Sequence, residues 1–383
     1  MSRGGNRVRW VHPGWLIVVA AAVLTLLGYA VIGTTRPSTA TRHFVLGGIG
    51  VVAAICMLLP PPRRFRQASW LLLGGCILLL LFLLVPGVPD AIVHPRNGAR
   101  RWINLFATDL QPSELTKIAF VLAMAAHLRF RDHYRRFGGL LLALGLAFPP
   151  IVLILIEPDL GTAMLFVPTL LAMLIAAGSR YRDLFLIGLM AIVAAGSMWP
   201  LLRPHQKDRI VAMVAQVRGD TRFEQDIGYQ GARAMMLVGA GGIDGVGREQ
   251  AKSLLDANHL PEEHNDMVFA VICLRWGVLG ALVVWGLYML LATGGLLIAI
   301  GCRDPFPRLV AVGLTAMLLS QMFINTAMTI GLAPITGLTL PFVSAGGSSL
   351  VVAWMMSGIL FGIAMRREHP MTREGFAFGG EAP

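Results

Sequence analysis

Ten stretches of this chain are apolar over nearly the length needed to cross a bilayer, and no other feature limits its possible folds so strongly. They run over about 14–33, 44–60, 69–86, 113–128, 139–156, 162–178, 184–200, 267–300, 309–330 and 349–365. A span requires roughly 17 to 25 apolar residues. Lipid offers no partner for a bare amide or carbonyl, so runs of this length must be helices. The fourth is short and carries Glu114 and Lys117. Hydrophobic residues make up 56% of the chain and charged ones only 14%, too little polar surface for a soluble protein of 383 residues. The expected fold is an all-α polytopic membrane protein of about ten transmembrane helices, with one large external loop and a re-entrant segment. The first run reads as a membrane span and not as a cleavable leader. One membrane domain is expected over 1–367, followed by a short cytoplasmic tail, 368–383.

The net charge of +11 is mostly topology. With the N-terminus in the cytoplasm, six inside segments hold 17 of the 32 basic residues, among them Arg63/Arg64/Arg66, Arg129/Arg131/Arg135/Arg136 and Arg366/Arg367/Arg373. The short outside loops hold only Arg36, Arg42, Arg96, Arg100 and Arg101. This asymmetry predicts both termini on the cytoplasmic side and argues against nucleic acid as a partner. Cys56, Cys76, Cys273 and Cys302 have neither metal-site spacing nor a place in the external loop, which argues against a disulfide or a zinc site.

Two loops are long enough to fold, at about 87–112 and 201–266. The first contains Arg100-Arg101-Trp102-Ile103. The second contains the Gly-rich stretch Gly239–Gly247 and then Leu260-Pro261-Glu262-Glu263-His264-Asn265-Asp266. The Gly-rich stretch follows no predicted strand and lacks the Lys-Ser/Thr ending of a phosphate loop, so it reads as a turn with close backbone approach or positive φ. No nucleotide is expected. Segment 331–348 is apolar but broken by Pro334, Gly337, Pro341, Gly346 and Gly347, which suits a re-entrant turn lining a cavity. Glu114 and Lys117, three residues apart, share a helix face, as a structural salt bridge or as part of a cavity wall. Asp159, in Glu157-Pro158-Asp159-Leu160-Gly161-Thr162, could cap the sixth span or act in that cavity.

Taken in order, Arg100-Arg101-Trp102-Ile103, Gln111-Pro112-Ser113-Glu114, Pro158-Asp159-Leu160-Gly161-Thr162, Leu260-Pro261-Glu262, Asp266 and Pro341-Phe342-Val343-Ser344 through Gly346-Gly347-Ser348-Ser349 resemble the SEDS family (shape, elongation, division and sporulation), typified by RodA and FtsW. The resemblance extends from the first span to Arg367. It implies a peptidoglycan glycosyltransferase in the bacterial cytoplasmic membrane that polymerises lipid II on the outer face, beside a class B penicillin-binding protein. The family's catalytic aspartate falls at Asp266. Three departures stand out: Ala345 replaces the family's usual Tyr, Arg233-Ala234 its Gln-Ser, and Leu274-Arg275 its Glu-Glu pair. A lipid II flippase and a non-catalytic scaffold are the alternative readings.

Glycosyl transfer from a lipid diphosphate needs a base for the acceptor hydroxyl and positive charge for the leaving group. Asp266, where the loop meets the eighth span, is the candidate base, and partial burial would raise its pKa. Lys117, Arg100 and Arg101, or a divalent cation (Mg or Mn) on Asp266 or Glu262, are candidates for the diphosphate. Glu114, Asp159, Ser344 and Ser348 are expected to complete the substrate cavity.

Overall fold

The computed structural model describes residues 11–96, 99–104, 109–130, 137–197, 200, 204–218, 220 and 227–366. The expected domain end at 367 and the tail 368–383 lie outside them. The described chain is almost wholly helical. In order it contains α1 (Gly14–Ile32), α2 (Pro37–Leu58), α3 (Pro62–Leu84), strands β1 (Val93–Arg96), β2 (Ala99–Asn104) and β3 (Asp109–Leu110), then α4 (Pro112–Leu128), α5 (Phe137–Ile156), α6 (Leu160–Ala177) and α7 (Tyr181–Ser197). Three helices follow in the long loop: α8 (Pro204–Val217), α9 (Tyr229–Gly241) and α10 (Arg248–Asn258). The chain then returns to the bundle with α11 (Val268–Gly301), α12 (Pro305–Thr329) and α13 (Gly347–Met365).

All ten apolar runs are helices, and eight of these are long and apolar enough to cross a membrane. The other two, α4 and α7, are each 17 residues long. α2 and α3 begin at Pro37 and Pro62, ahead of the apolar runs at 44 and 69, because proline at the first helical position wastes no amide donor. The bundle presents apolar side chains outward: Leu71 is 80% and Ile300 79% exposed. Such a surface is stable only in lipid.

α4 lies at the centre. Glu114, Lys117 and nearly every other residue of it are buried, so its two charges face protein and not lipid. They pair at 2.7 Å, which makes this short, charged run tolerable as a span.

The first polar loop is a three-stranded antiparallel sheet in the order β1-β2-β3, with Val93 opposite Ile103 and Ile103 opposite Leu110. In the second, the Gly-rich stretch clasps a break in α11. The helix unwinds at Gly277 (φ 63°, ψ −156°). Val246 and Gly247 donate to the freed carbonyls of Leu274 and Arg275, and Val278 and Leu279 donate to the carbonyls of Gly242 and Ile243 in the stretch. Gly245 (φ +81°) lies so close that a Cβ would sit 2.3 Å from the Arg275 oxygen. The expectation of close approach and positive φ holds here, and its purpose is a backbone clasp.

Arg275, the reversed charge of the Leu274-Arg275 departure, donates to Ala30 O at 2.7 Å and Thr34 Oγ1 at 3.1 Å. A cation at the C-terminal end of α1 complements the helix dipole. Residues 332–340 and 345–346 have no helical structure, as the glycines and prolines of the re-entrant segment predict.

Candidate active site

The re-entrant segment is the hub on which the motif residues meet. Thr336 and Leu338 pack on Gly161, where a Cβ would lie 2.7 Å from Leu338 Cγ. Gly337 (φ +74°) faces Asp266, whose Oδ2 would be 4.0 Å from a Cβ added there. Ser344 Oγ donates to Asn265 O at 2.5 Å and accepts from Leu340 N at 2.7 Å. Ser348 Oγ donates to Asp109 O and accepts from Gln111 N at 3.2 Å. Both hydroxyls thus donate to backbone and accept from it, a clamping role beside the substrate contact expected of them. They hold the segment to the loop end and to β3.

Asp266 follows a tight turn in which Glu262 takes positive φ (+53°) and its carbonyl accepts from Asn265 N and Met267 N. Glu263 ties this turn to Arg36 at 3.6 Å. Asn325 of α12, fully buried, donates to Asp266 O at 2.8 Å and to Leu338 O at 2.7 Å, fastening the aspartate's backbone to the re-entrant segment. The Asp266 side chain is 6% exposed, and among the described residues its Oδ1 has no hydrogen-bond partner. It does not cap α11; the capping position is Met267. Burial, and then the negative charge of Glu262, push its pKa up to about 7, against the opposing pull of its own backbone amide, Arg209 and Gln230. A carboxylate in this state accepts a proton readily near neutral pH.

Asp159 caps α6, accepting from Thr162 N at 3.2 Å and Thr162 Oγ1 at 2.9 Å. Gln111 Nε2 also reaches it at 3.0 Å. Arg101 donates to the carbonyls of Glu157 (2.6 Å) and Pro158, and its Nη1 lies 4.0 Å from Asp159 Oδ1. Glu157 itself is buried with neither carboxylate oxygen partnered among the described residues. Burial and the adjacent Asp159 raise its pKa to about 9 despite Arg101, so it is neutral at pH 7.

Lys117 Nζ, besides its bond to Glu114, donates to Gln321 Oε1 at 2.9 Å. Gln321 in turn donates to Thr339 O at 2.9 Å. The buried pair is therefore wired to the re-entrant segment. Arg100 is not brought to this group. Its guanidinium bonds Val88 O at 2.9 Å and Asp90 Oδ1 at 2.7 Å, because neighbouring side chains on a strand point to opposite faces and Arg101 takes the inner one. Its expected place at the diphosphate gains no support from this arrangement. Glu262 is exposed, its carboxylate accepting from Asn265 Nδ2.

Arg209 on α8 carries no motif signal, yet its charge acts on Asp266, Asp159 and Arg101 together. It bridges the two carboxylates electrostatically. Asn325 and Gln321 carry no motif signal either; the available signal was two amides in the one apolar run 309–330.

A membrane bundle with a buried, proton-accepting aspartate under a re-entrant hub defines the class. The chain belongs to the family described as "Cell cycle protein" that takes in FtsW, RodA and SpoVE, matching it over residues 11–369. It is 33% identical over 331 residues to stage V sporulation protein E of Bacillus subtilis, covering 85% of this chain and 86% of that one. It is 32% identical over 372 residues to the probable peptidoglycan glycosyltransferase FtsW of Geobacter sulfurreducens, covering 92% and 95%. Among solved structures it resembles Thermus thermophilus RodA with a TM-score of 0.68 and 28% identity over 93% of this chain and 98% of that one. It also resembles a chain from a peptidoglycan synthase complex that coordinates polymerization and crosslinking, with a TM-score of 0.76 and 29% identity over 91% and 96%.

Proposed function

We propose that this chain is a peptidoglycan glycosyltransferase that polymerises lipid II on the outer face of the bacterial cytoplasmic membrane. The observation that carries the reading is Asp266: buried, one oxygen unpartnered among the described residues, its pKa near 7, and fixed through Asn325 to the hub of the motif residues. The acceptor sugar's hydroxyl attacks the donor's anomeric carbon, and the bond from that carbon to the diphosphate breaks with its electron pair leaving on the diphosphate. Asp266 takes the hydroxyl proton, which contributes about 10² to 10⁴ in rate. Arg209 is the cation suited to the departing charge, since a guanidinium can grip phosphate oxygens in pairs; Arg101, whose Nε and Nη2 bond the Glu157 and Pro158 carbonyls, adds positive charge. Lys117, engaged by Glu114 and Gln321, supports the cavity wall.

Among the described residues no three His, Cys, Asp or Glu side chains gather as a metal site. The unpartnered Oδ1 of Asp266 nevertheless suits a Mg or Mn ion that brings most of its ligands as substrate phosphate and water. Such an ion would supply further charge for the diphosphate. A class B penicillin-binding protein is the expected partner, a reading supported by the solved relative that belongs to a polymerization and crosslinking complex. The basic inner segments support an orientation with both termini cytoplasmic.

The test is direct. Full-length protein with its cognate penicillin-binding protein, labelled lipid II and Mg or Mn should yield glycan strands, and Asp266→Ala should yield none. Strands from Asp266→Ala at the wild-type rate refute the assignment of the base. Movement of lipid II across vesicles without polymer refutes the enzyme in favour of a flippase.

A further inference from the structure

The Leu274-Arg275 departure leaves positive charge where the motif residues do not use it. Arg275 and Arg248 converge on the turn between α1 and α2: Arg275 Nη1 bonds Ala30 O and Thr34 Oγ1, and Arg248 Nη2 reaches Gly33 O at 3.5 Å. Among the described residues no carboxylate lies within ion-pairing distance of either. Two like charges drawn together without a counter-charge are unfavourable, and an anion between them relieves this.

Capping of α1 accounts for only part of the arrangement. A guanidinium has five N–H donors. Nη1 of Arg275 is spent on the cap, while Nε and Nη2, an edge that can grip a phosphate with two parallel bonds, have no partner among the described residues. Arg248 is exposed at the first position of α10, where the helix dipole disfavours a cation, so its placement does not serve its own helix. Trp276 lies against the Arg275 guanidinium, 4.2 Å from ring centroid to Cζ.

The depth is that of a headgroup. From Gly277 to Gly301, α11 rises about 36 Å at 1.5 Å per residue, enough to cross the roughly 30 Å hydrocarbon core. Arg275 and Trp276 therefore sit just beyond the hydrocarbon, at the Asp266 end of the bundle. Directly along the helix Val278, Leu279 and Leu282 are 52%, 53% and 58% exposed, an apolar strip for acyl chains.

We propose that Arg248, Arg275 and Trp276 bind the phosphate of an anionic phospholipid in the leaflet on the Asp266 side. The phosphodiester accepts from both guanidinium groups, the glycerol lies by Trp276, and the chains follow α11. This site is separate from the one assigned to glycosyl transfer and stands whether or not that assignment does.

The experiment is native mass spectrometry of the purified full-length protein in detergent, with equimolar dioleoyl phosphatidylglycerol and dioleoyl phosphatidylcholine. Wild type should retain phosphatidylglycerol with about a thirtyfold preference, the order expected for two basic side chains at an anionic surface. Arg248→Gln, which leaves the Arg275 bonds to Ala30 and Thr34 intact, should lower that preference, and Arg248→Gln with Arg275→Gln should abolish it. Thermal unfolding of the same samples establishes that each variant is folded. Equal retention of the two lipids by wild type, or a preference that survives in the folded double variant, overturns the proposal. Millimolar inorganic phosphate should not displace the lipid; if it does, the site is one for free phosphate and the lipid assignment falls.

Discussion

Replacing Asp266 by Asn should make the protein more stable as well as inactive, and the gain should depend on pH. The carboxyl is 6% exposed and its pKa rises from 3.8 to about 7 on folding. The native state therefore binds more protons than the unfolded chain between those values, and stability falls as pH rises through that window. The contribution is fully present below 3.8, is lost as pH approaches about 7, and is flat above. Roughly three pH units at about 1.36 kcal/mol each amount to a penalty of about 4 kcal/mol at pH 8, against about 1.5 kcal/mol at pH 5. Asparagine keeps the shape and removes the charge. Thermal unfolding of wild type and Asp266→Asn in one detergent should show the variant unfolding higher, by an increment nearly three times as large at pH 8 as at pH 5. Lipid II polymerisation should be lost at both. An increment independent of pH would refute the argument that burial perturbs this carboxyl, and retained polymerisation would refute its role as base.

Wild-type polymerisation should rise with pH through a midpoint near 7, where Asp266 loses its proton. Arg209→Gln should move that midpoint upward, because Arg209 pulls the pKa down, and should also weaken lipid II binding; a profile unchanged in both respects would detach Arg209 from the site. Lys117→Met should cost about 3–5 kcal/mol by stranding Glu114 in the core, measured as lost thermal stability, while Glu114→Gln with Lys117→Met should recover part of it. Gly245→Ala, with a Cβ 2.3 Å from Arg275 O at φ +81°, should lower the unfolding temperature and expose the 242–247 stretch to protease. Gly239→Ala, with nothing within 4 Å, should do neither.

The membrane helices were legible because their signal is local. A run of about twenty apolar residues has only one way to satisfy its backbone in lipid, so the spans and the break at 331–348 could be read from the chain alone. The helix-capping role of Asp159 and the need for unusual backbone at Gly245 followed from short-range rules as well. Arg100 and Arg101 show the limit. Both are arginines in one motif, and only the pairing of β2 with β1 and β3 decided which faced Glu157 and Asp159. Ser344 and Ser348 were legible as motif residues but not as clamps, since their partners, Asn265 and Asp109, lie 79 and 239 residues away.

The sequence by itself determined a polytopic helical membrane protein, its family, and Asp266 as the residue to examine. Tertiary structure decided what surrounds that aspartate: Asn325 on its backbone, Arg209 within electrostatic reach, Gly337 beside its carboxyl, and Lys117 turned inward to Gln321. A side chain's proton affinity depends on burial and on charges brought near it by folding, and neither is encoded by its neighbours along the chain.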